Sequence, residues 1–406
     1  MKIVQISSTA TYGGAGIAAL RLHQSLMKHS GIESVFVQRL PVDAGFAEEN
    51  NIYTAATGRG LITRFRKKYN VHTEHYHWVN LNKYPADYEI ATFGTTSYRL
   101  EELPVIKEAD IIHLHWVAEF LNYPTFFKNI KQPIVWTLHD MNPFRGMFHY
   151  REDEEKNRVN FGELDKKTLR IKTDAIHKHK NINVVCLSEW MKGRSQASEA
   201  FGIYPHYLIP NGLDFSKYPV LDKHLAKKAV GVDNALLTIL FVANGSHIYR
   251  KGFDLVVDAL AALNRKDYNL ISVGGDKIEV GTDIKHIHHN RIDNIAQLNE
   301  LYSAADMTVL PSREDNLPNV MLESFANGTP VMSFTNGGMA EHVKTGENGV
   351  LINTIGSAPL AQGIEDFLNN RYIFDSEKIR DYALTHFSDT LQVEKYINLY
   401  KEILNR

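Results

Sequence analysis

Pro311-Ser-Arg-Glu-Asp-Asn-Leu-Pro-Asn-Val-Met-Leu-Glu-Ser-Phe-Ala-Asn-Gly328 reads as the end of a strand, a polar turn and a short helix. Immediately upstream, the apolar and β-branched run Met307-Thr-Val-Leu310 suits a strand buried in a parallel sheet. Pro311 stops that run, Pro318 fits the first turn of a helix, where a missing N–H is no loss, and Asn327-Gly328 is a helix-ending pair. Asp315 is thereby placed on the loop at the carboxyl end of a strand, the edge at which open α/β sheets bind ligands, with Glu323 two turns along the helix. Backbone N–H groups at such a helix start suit an anion. Taken alone, the two carboxylates fit an ordinary solvated strand-loop-helix unit equally well.

Working outward, 406 residues with 44% hydrophobic and 23% charged content are enough for two domains with substantial cores. A formal net charge of −2 argues against a general nucleic-acid binder, which needs a basic surplus to neutralise phosphates. The single cysteine, Cys186, excludes an internal disulfide framework and a cysteine-based zinc site, and reads as a core residue of a protein in a reducing cytoplasm. Met1-Lys-Ile-Val-Gln-Ile-Ser is interrupted by polar residues too soon for a signal peptide, and no apolar run approaches membrane-spanning length. The expected location is cytoplasmic, with the inner face of the membrane as a further setting. No solenoid repeat or low-complexity tract is visible, so alternating strands and helices must supply the organisation.

That alternation begins with a strand at Ile3–Ile6, a loop over Thr9–Gly16 and an amphipathic helix over Ile17–His29. Gly13-Gly14-Ala15-Gly16 allows close backbone approach to a ligand and leads into a helix N-terminus suited to anions, or simply makes a tight turn; the spacing is not that of a dinucleotide-binding fingerprint. Ser34–Val37 reads as a second strand. Leu61–Tyr69, with its basic residues between Arg64 and Lys68, suits either an anionic membrane surface or a solvated helix face. Asp110–Trp116 and Ile134–Asp140 read as buried strands with polar ends, carrying His113 and His115 on one and His139 on the other. A charged stretch from Arg151 to Arg158 precedes a helical run over Gly162–Lys180, and Val184–Leu187 is a further strand. Pro210-Asn-Gly-Leu-Asp214 combines two turn formers and reads as a connector, with a domain boundary near Tyr218. A second series opens with the strand Leu236–Val242, a loop ending in Arg250-Lys251-Gly252 and the helix Phe253–Leu263. Two cations therefore meet the positive end of a helix dipole.

Several of these segments together resemble family 4 retaining glycosyltransferases of the GT-B type. Asp315 and Glu323, followed by Ser-Phe-Ala-Asn-Gly-Thr-Pro-Val331, resemble the family's acid-x7-acid signature; Thr137-Leu-His-Asp140 resembles its Thr-x-His-Asp strand end; and Thr335-Asn-Gly-Gly-Met-Ala-Glu341 resembles its donor-side glycine loop. The resemblance implies an α/β fold of two Rossmann-like domains with parallel sheets facing a central cleft. It implies an acceptor domain over 1–217, a nucleotide-sugar donor domain over 218–385, and a C-terminal helix over 386–406 returning to the first. The implied activity is transfer of a sugar from a nucleotide-diphosphate sugar to a hydroxyl of a glycan or lipid-linked acceptor, with retention, no cofactor and no bound metal. A non-catalytic nucleotide-sugar-binding partner, or another GT-B enzyme such as a nucleotide-sugar epimerase, is the alternative.

In that reading His139 contacts the donor sugar, Lys251 and Arg250 hold the leaving diphosphate, Asp315 positions sugar hydroxyls and Glu323 binds the ribose. Gly13, Gly14, Asn316, Leu317 and Gly338 complete the donor contacts. The sequence departs from the family at Ser246, where an arginine is usual, and at Asp315, where glutamate is commoner and Glu314 is adjacent. Relatives with a similar Thr-Leu-His-Asp-Met-Asn-Pro-Phe144 segment often continue with metal-binding cysteines, which are absent here.

Overall fold

A computed structural model describes residues 1–56, 81, 84–242, 248–263, 265–274, 277 and 284–406. The basic segment 64–68 and residues 243–247 of the loop 243–252, including Ser246, lie outside the described residues. The chain forms two compact units, residues 1–211 with 392–406 and residues 212–391, and the division at Asn211–Gly212 falls within the connector Pro210–Asp214.

Among the described residues, the first unit holds a seven-stranded parallel sheet of β1 (Lys2–Ile6), β2 (Glu33–Gln38), β3 (Ile52–Thr54), β4 (Ile111–Leu114), β5 (Ile134–Leu138), β6 (Ile182–Cys186) and β7 (His206–Leu208). Its spatial order is β3-β2-β1-β4-β5-β6-β7, so the topology reverses between β1 and β4. Every strand is joined to the next by a crossover, as parallel pairing requires. The strands alternate in a way that sets both faces. Ile112, Leu114, Ile134, Trp136 and Leu138 join one apolar core; Ile3, Ile111 and Val135 join another. On that second face the side chains turn polar toward the carboxyl ends: Gln5, then His113 and His115, then Thr137 and His139.

The second face is closed by the helix Gly13–Met27, through Leu22 and Leu26, and by the final helix Asp389–Leu404, through Val393, Tyr396, Ile397 and Tyr400. Two tyrosines of the final helix meet the polar strand positions directly. Tyr400 Oη lies 2.7 Å from His113 Nδ1, and Tyr396 Oη lies 2.7 Å from Thr137 Oγ1. The same Thr137 oxygen lies 2.8 Å from His113 Nε2.

Among the described residues, the second unit holds a six-stranded parallel sheet of β8 (Leu237–Val242), β9 (Tyr268–Val273), β10 (Lys285–His289), β11 (Met307–Leu310), β12 (Val331–Phe334) and β13 (Gly349–Ile352), ordered β10-β9-β8-β11-β12-β13. Here the topology reverses between β8 and β11. The core packs Ile239, Phe241, Val309 and Met332 against Val256, Leu260 and Ile364 of flanking helices.

Three local expectations are corrected. The first helix begins at Gly13, not Ile17, so the glycines form its opening turn instead of a preceding loop. The helix after β11 runs Asn319–Ala326, which puts Pro318 at its N-cap and Glu323 only about one turn in. Arg151–Ile176 is one continuous helix of 26 residues, so the charged stretch Arg151–Arg158 belongs to the helix expected from Gly162. Its buried side includes Asp153, Asn157, Phe161, Asp165, Thr168 and Lys172; an inward face this polar gives no apolar periodicity to read.

Candidate active site

In the second unit, the loops following β8 and β11 meet where the sheet topology reverses, the position at which open parallel sheets bind ligands. Their junction is tight. Gly252 has φ +67°, and a Cβ there would stand 2.0 Å from the Pro311 carbonyl oxygen. The backbone N–H of Arg313 donates to the Arg250 carbonyl at 2.8 Å. Gly337, with φ +84°, lies so close to the Asp315 carbonyl that a Cβ would stand 1.9 Å from its oxygen. Glycine at both positions lets three loops share one point.

At that point Asp315 Oδ2 accepts from Lys251 Nζ at 2.8 Å and pairs with Arg250 Nη1 at 3.1 Å. Arg250 is 4% exposed, and its Nη1 also donates to the Glu314 carbonyl at 2.8 Å. Burial opposes the charge on Asp315, but Lys251 and Arg250, with the Lys251 hydrogen bond and the Asn316 N–H, hold its pKa down to about 2. Asp315 is thus ionised at all ordinary pH, and these three side chains together carry one surplus positive charge. Arg313 braces the loop by a bidentate pair with Asp254, at 2.8 and 2.5 Å, and lies over the Tyr249 ring.

Three further expected donor contacts, Asn316, Leu317 and Gly338, lie on these loops. Asn316 and Leu317 are buried, and the Gly338 N–H already donates to the Asp315 carbonyl at 3.1 Å. Glu323 is buried on its helix, with Oε2 accepting from Tyr302 Oη at 3.1 Å.

In the first unit, the loops after β1, β4 and β5 meet at the corresponding reversal. Gly13 and Gly14 open the helix after β1. The loop they follow is tied to the one after β4 by the Ser8 N–H, which donates to the Trp116 carbonyl at 2.7 Å. A pocket within this unit is lined by His115, Trp116, Tyr123, His139, Asp140 and Asn142, among others. Asp140 Oδ2 accepts from Trp116 Nε1 at 2.8 Å and lies 2.6 Å from His149 Nδ1. Burial pushes its pKa up, but the nearby His149 and the hydrogen bonds it accepts bring it below the ordinary carboxylate value. His139 is held neutral, its pKa lowered to about 4 by burial against the opposing pull of Asp140. His113 is committed to Tyr400 and Thr137, a structural role. Cys186 is buried, as expected, with burial pushing its thiol up to about 12.

Residues 237–370, the greater part of the second unit, match the family described as Glycosyl transferases group 1. This is a group 1 glycosyltransferase domain. Over a longer span, the chain is 29% identical to an uncharacterized glycosyltransferase of Methanocaldococcus jannaschii, covering 73% of this chain and 76% of that protein. It is 25% identical to a glycogen synthase of Thermodesulfovibrio yellowstonii over 48% of this chain, which spans only 45% of the synthase. Among solved structures, HepE of Anabaena in complex with UDP and glucose superposes with a TM-score of 0.67 at 16% identity, covering 99% of each chain. The fold is that of the GT-B glycosyltransferases.

The glycosyltransferase domain contains Arg250, Lys251, Asp315, Asn316, Leu317, Glu323 and Gly338, and draws the first three into direct contact. Sequence reading passed over two groups that shape these surfaces. Arg313 stands in the quoted stretch with nothing in its spacing to mark it, because its partners Asp254 and Tyr249 are distant in the chain. Lys172, completely buried in the first unit, donates to the carbonyls of Asn142 and Gly146 and to the Asn142 side chain at 2.7–2.9 Å. Nothing in its charged helical surroundings distinguishes it from a solvated lysine. Among the described residues, no helix is long and apolar enough to cross a membrane, and no cluster of three or more metal-ligating side chains occurs.

Proposed function

We propose that the chain is a retaining glycosyltransferase that moves a sugar from a nucleotide-diphosphate sugar to a hydroxyl of a glycan or lipid-linked acceptor, without a bound metal or cofactor. The observation that carries this reading is the Arg250–Lys251–Asp315 cluster in a group 1 glycosyltransferase domain, on the loops at the reversal of its sheet. As the glycosidic bond breaks, negative charge grows on the leaving diphosphate. A fixed surplus of positive charge in a buried setting stabilises that charge more than it does the ground state. Asp315 serves two ends in this scheme: its carboxylate orients both cations, and its remaining lone pairs suit donor-sugar hydroxyls. Arg250 takes the part usually given to the arginine whose place Ser246 occupies. Glu323, a buried carboxylate one turn into the helix, suits paired ribose hydroxyls. His139 is assigned the donor-sugar contact. The UDP and glucose bound by the Anabaena protein make uridine nucleotides a natural first choice of donor. The cytoplasm, or its membrane face, is the proposed setting.

Thermal unfolding with a panel of nucleotide diphosphates and nucleotide sugars, with and without chelator, tests this, since a ligand that binds only the folded state raises Tm. One nucleotide should give a chelator-insensitive rise that Lys251→Ala and Glu323→Ala each abolish without loss of fold. The anomeric configuration of the product, read by NMR, then decides retention. If no nucleotide shifts the well-folded protein, the donor-site assignment is wrong.

A further inference from the structure

Behind His139 runs a line of hydrogen bonds through the first unit whose direction is set at its far end. The Asn50 carbonyl can only accept, and His23 Nε2 stands 2.6 Å from it, so the proton of His23 is on Nε2. Burial keeps His23 neutral, with its pKa lowered to about 4, so its Nδ1 is bare and must accept. The partner at Nδ1 is Ser34 Oγ, 2.7 Å away, which therefore donates its only proton there. Ser34 Oγ is left as an acceptor for Gln5 at 3.3 Å, which turns the Gln5 amide so that Nε2 faces Ser34 and Oε1 faces away. Gln5 Oε1 lies 2.8 Å from His115 Nε2, so His115 carries its proton on Nε2. His115 is also neutral, because burial lowers its pKa well below the ordinary value, and its bare Nδ1 accepts from His139 Nε2 at 3.2 Å.

Gln5, His23, Ser34 and His115 are each at most 2% exposed, so no bulk water competes for these groups. Reversing any one bond would set two protons or two lone pairs against each other in the interior, the costly arrangement of unpaired buried polar groups.

We infer that this one-way chain from the Asn50 carbonyl through His23, Ser34, Gln5 and His115 holds His139 as the Nε2–H tautomer, so that its Nδ1 is an acceptor. Gln5, Ser34 and His23 are positioning residues for His139 and touch no ligand themselves. The tautomer assignment does not rest on the glycosyltransferase reading.

The test is the ring ¹⁵N spectrum of the ligand-free full chain labelled at histidine, at neutral pH, with His139 assigned by its loss in His139→Gln. The wild type should show His139 protonated on Nε2 and bare on Nδ1. A proton on Nδ1, or an imidazolium, overturns the inference. In Gln5→Met, close in size but with no acceptor for His115, the His115 proton should move to Nδ1 and the His139 proton to Nδ1. In Ser34→Ala, which frees the Gln5 amide to turn, both tautomers should be populated. An unchanged single tautomer in either folded variant overturns the one-way chain. Because the spectrum needs no substrate, its result stands apart from the nucleotide-binding experiment: a correct tautomer with no nucleotide binding would sink the transferase reading alone.

Discussion

Asp315 shows how one residue's environment becomes a property of the protein. Its carboxyl, about 4 in an unfolded chain, is held at about 2 in the native state by Lys251 and Arg250 despite burial. A depressed carboxylate pKa contributes stability that is fully present above the unfolded value and is lost as pH falls through the native one. The stabilisation therefore disappears between about pH 4 and pH 2 and amounts to on the order of 2 kcal/mol. Asp315→Asn should remove that component, leaving a flatter acid limb when urea unfolding is followed by far-UV circular dichroism across this range. A wild-type acid limb unchanged by the substitution would show that the pair with Lys251 and Arg250 does not hold the carboxylate ionised in the way described. The residue scale is also where sequence reading was most uneven. Asp315 and Lys251 were legible from spacing and resemblance, but their mutual contact was not, because 64 positions separate them and only the meeting of two loops joins them.

At the scale of elements, the helix Arg151–Ile176 carries the clearest divergence between pattern and packing. Its buried face is largely polar, so a reading that looks for apolar residues at helical spacing finds only its later part. Lys172 gives this face its function: its Nζ lies 2.7–2.9 Å from three oxygens of the Asn142–Gly146 stretch, which follows the strand end that bears His139 and Asp140, while burial lowers its pKa to about 7. Lys172→Met would keep the side-chain volume but leave those oxygens unsatisfied in the interior. A loss of roughly 2–4 kcal/mol is expected. All four tryptophans of the chain fall within residues 1–211, so denaturant unfolding read by intrinsic fluorescence reports on this unit specifically. A loss under about half a kilocalorie, the scale of a neutral surface change, would mean that Lys172 is dispensable to the loop.

For the molecule as a whole, the last helix decides what counts as a unit. Residues 392–406 belong with residues 1–211, although 180 positions of chain intervene between Asn211 and Gln392. Val393, Tyr396, Ile397, Leu399, Tyr400 and Ile403 complete a core begun by Ile3, Ile111 and Val135. Ending the chain at Leu391 should uncover this apolar face and leave His113 and Thr137 without their tyrosine partners. The expected result is loss of cooperative fluorescence unfolding and aggregation of the truncated chain. Tyr400→Phe isolates the polar part: it should cost about 1–2 kcal/mol with the fold intact. A soluble, cooperatively unfolding truncation would show that the first unit is complete without the helix.

The alternation of strands and helices, the polar ends of β4 and β5 and the Asp315–Glu323 stretch are local patterns, set by side-chain periodicity and turn chemistry. For that reason local pattern is enough to read the fold class, the strands that precede the candidate site residues and the segments on which Arg250, Lys251 and Asp315 lie. Folding in three dimensions adds what those residues do to one another: the Arg250–Lys251–Asp315 cluster, the burial of Lys172 and the hydrogen-bond line from Asn50 to His139. These depend on strand order, and strand order brings β1 beside β4 and β8 beside β11 across long intervals of chain. A charge or a proton takes its position from neighbours in space, and no spacing along the chain records them.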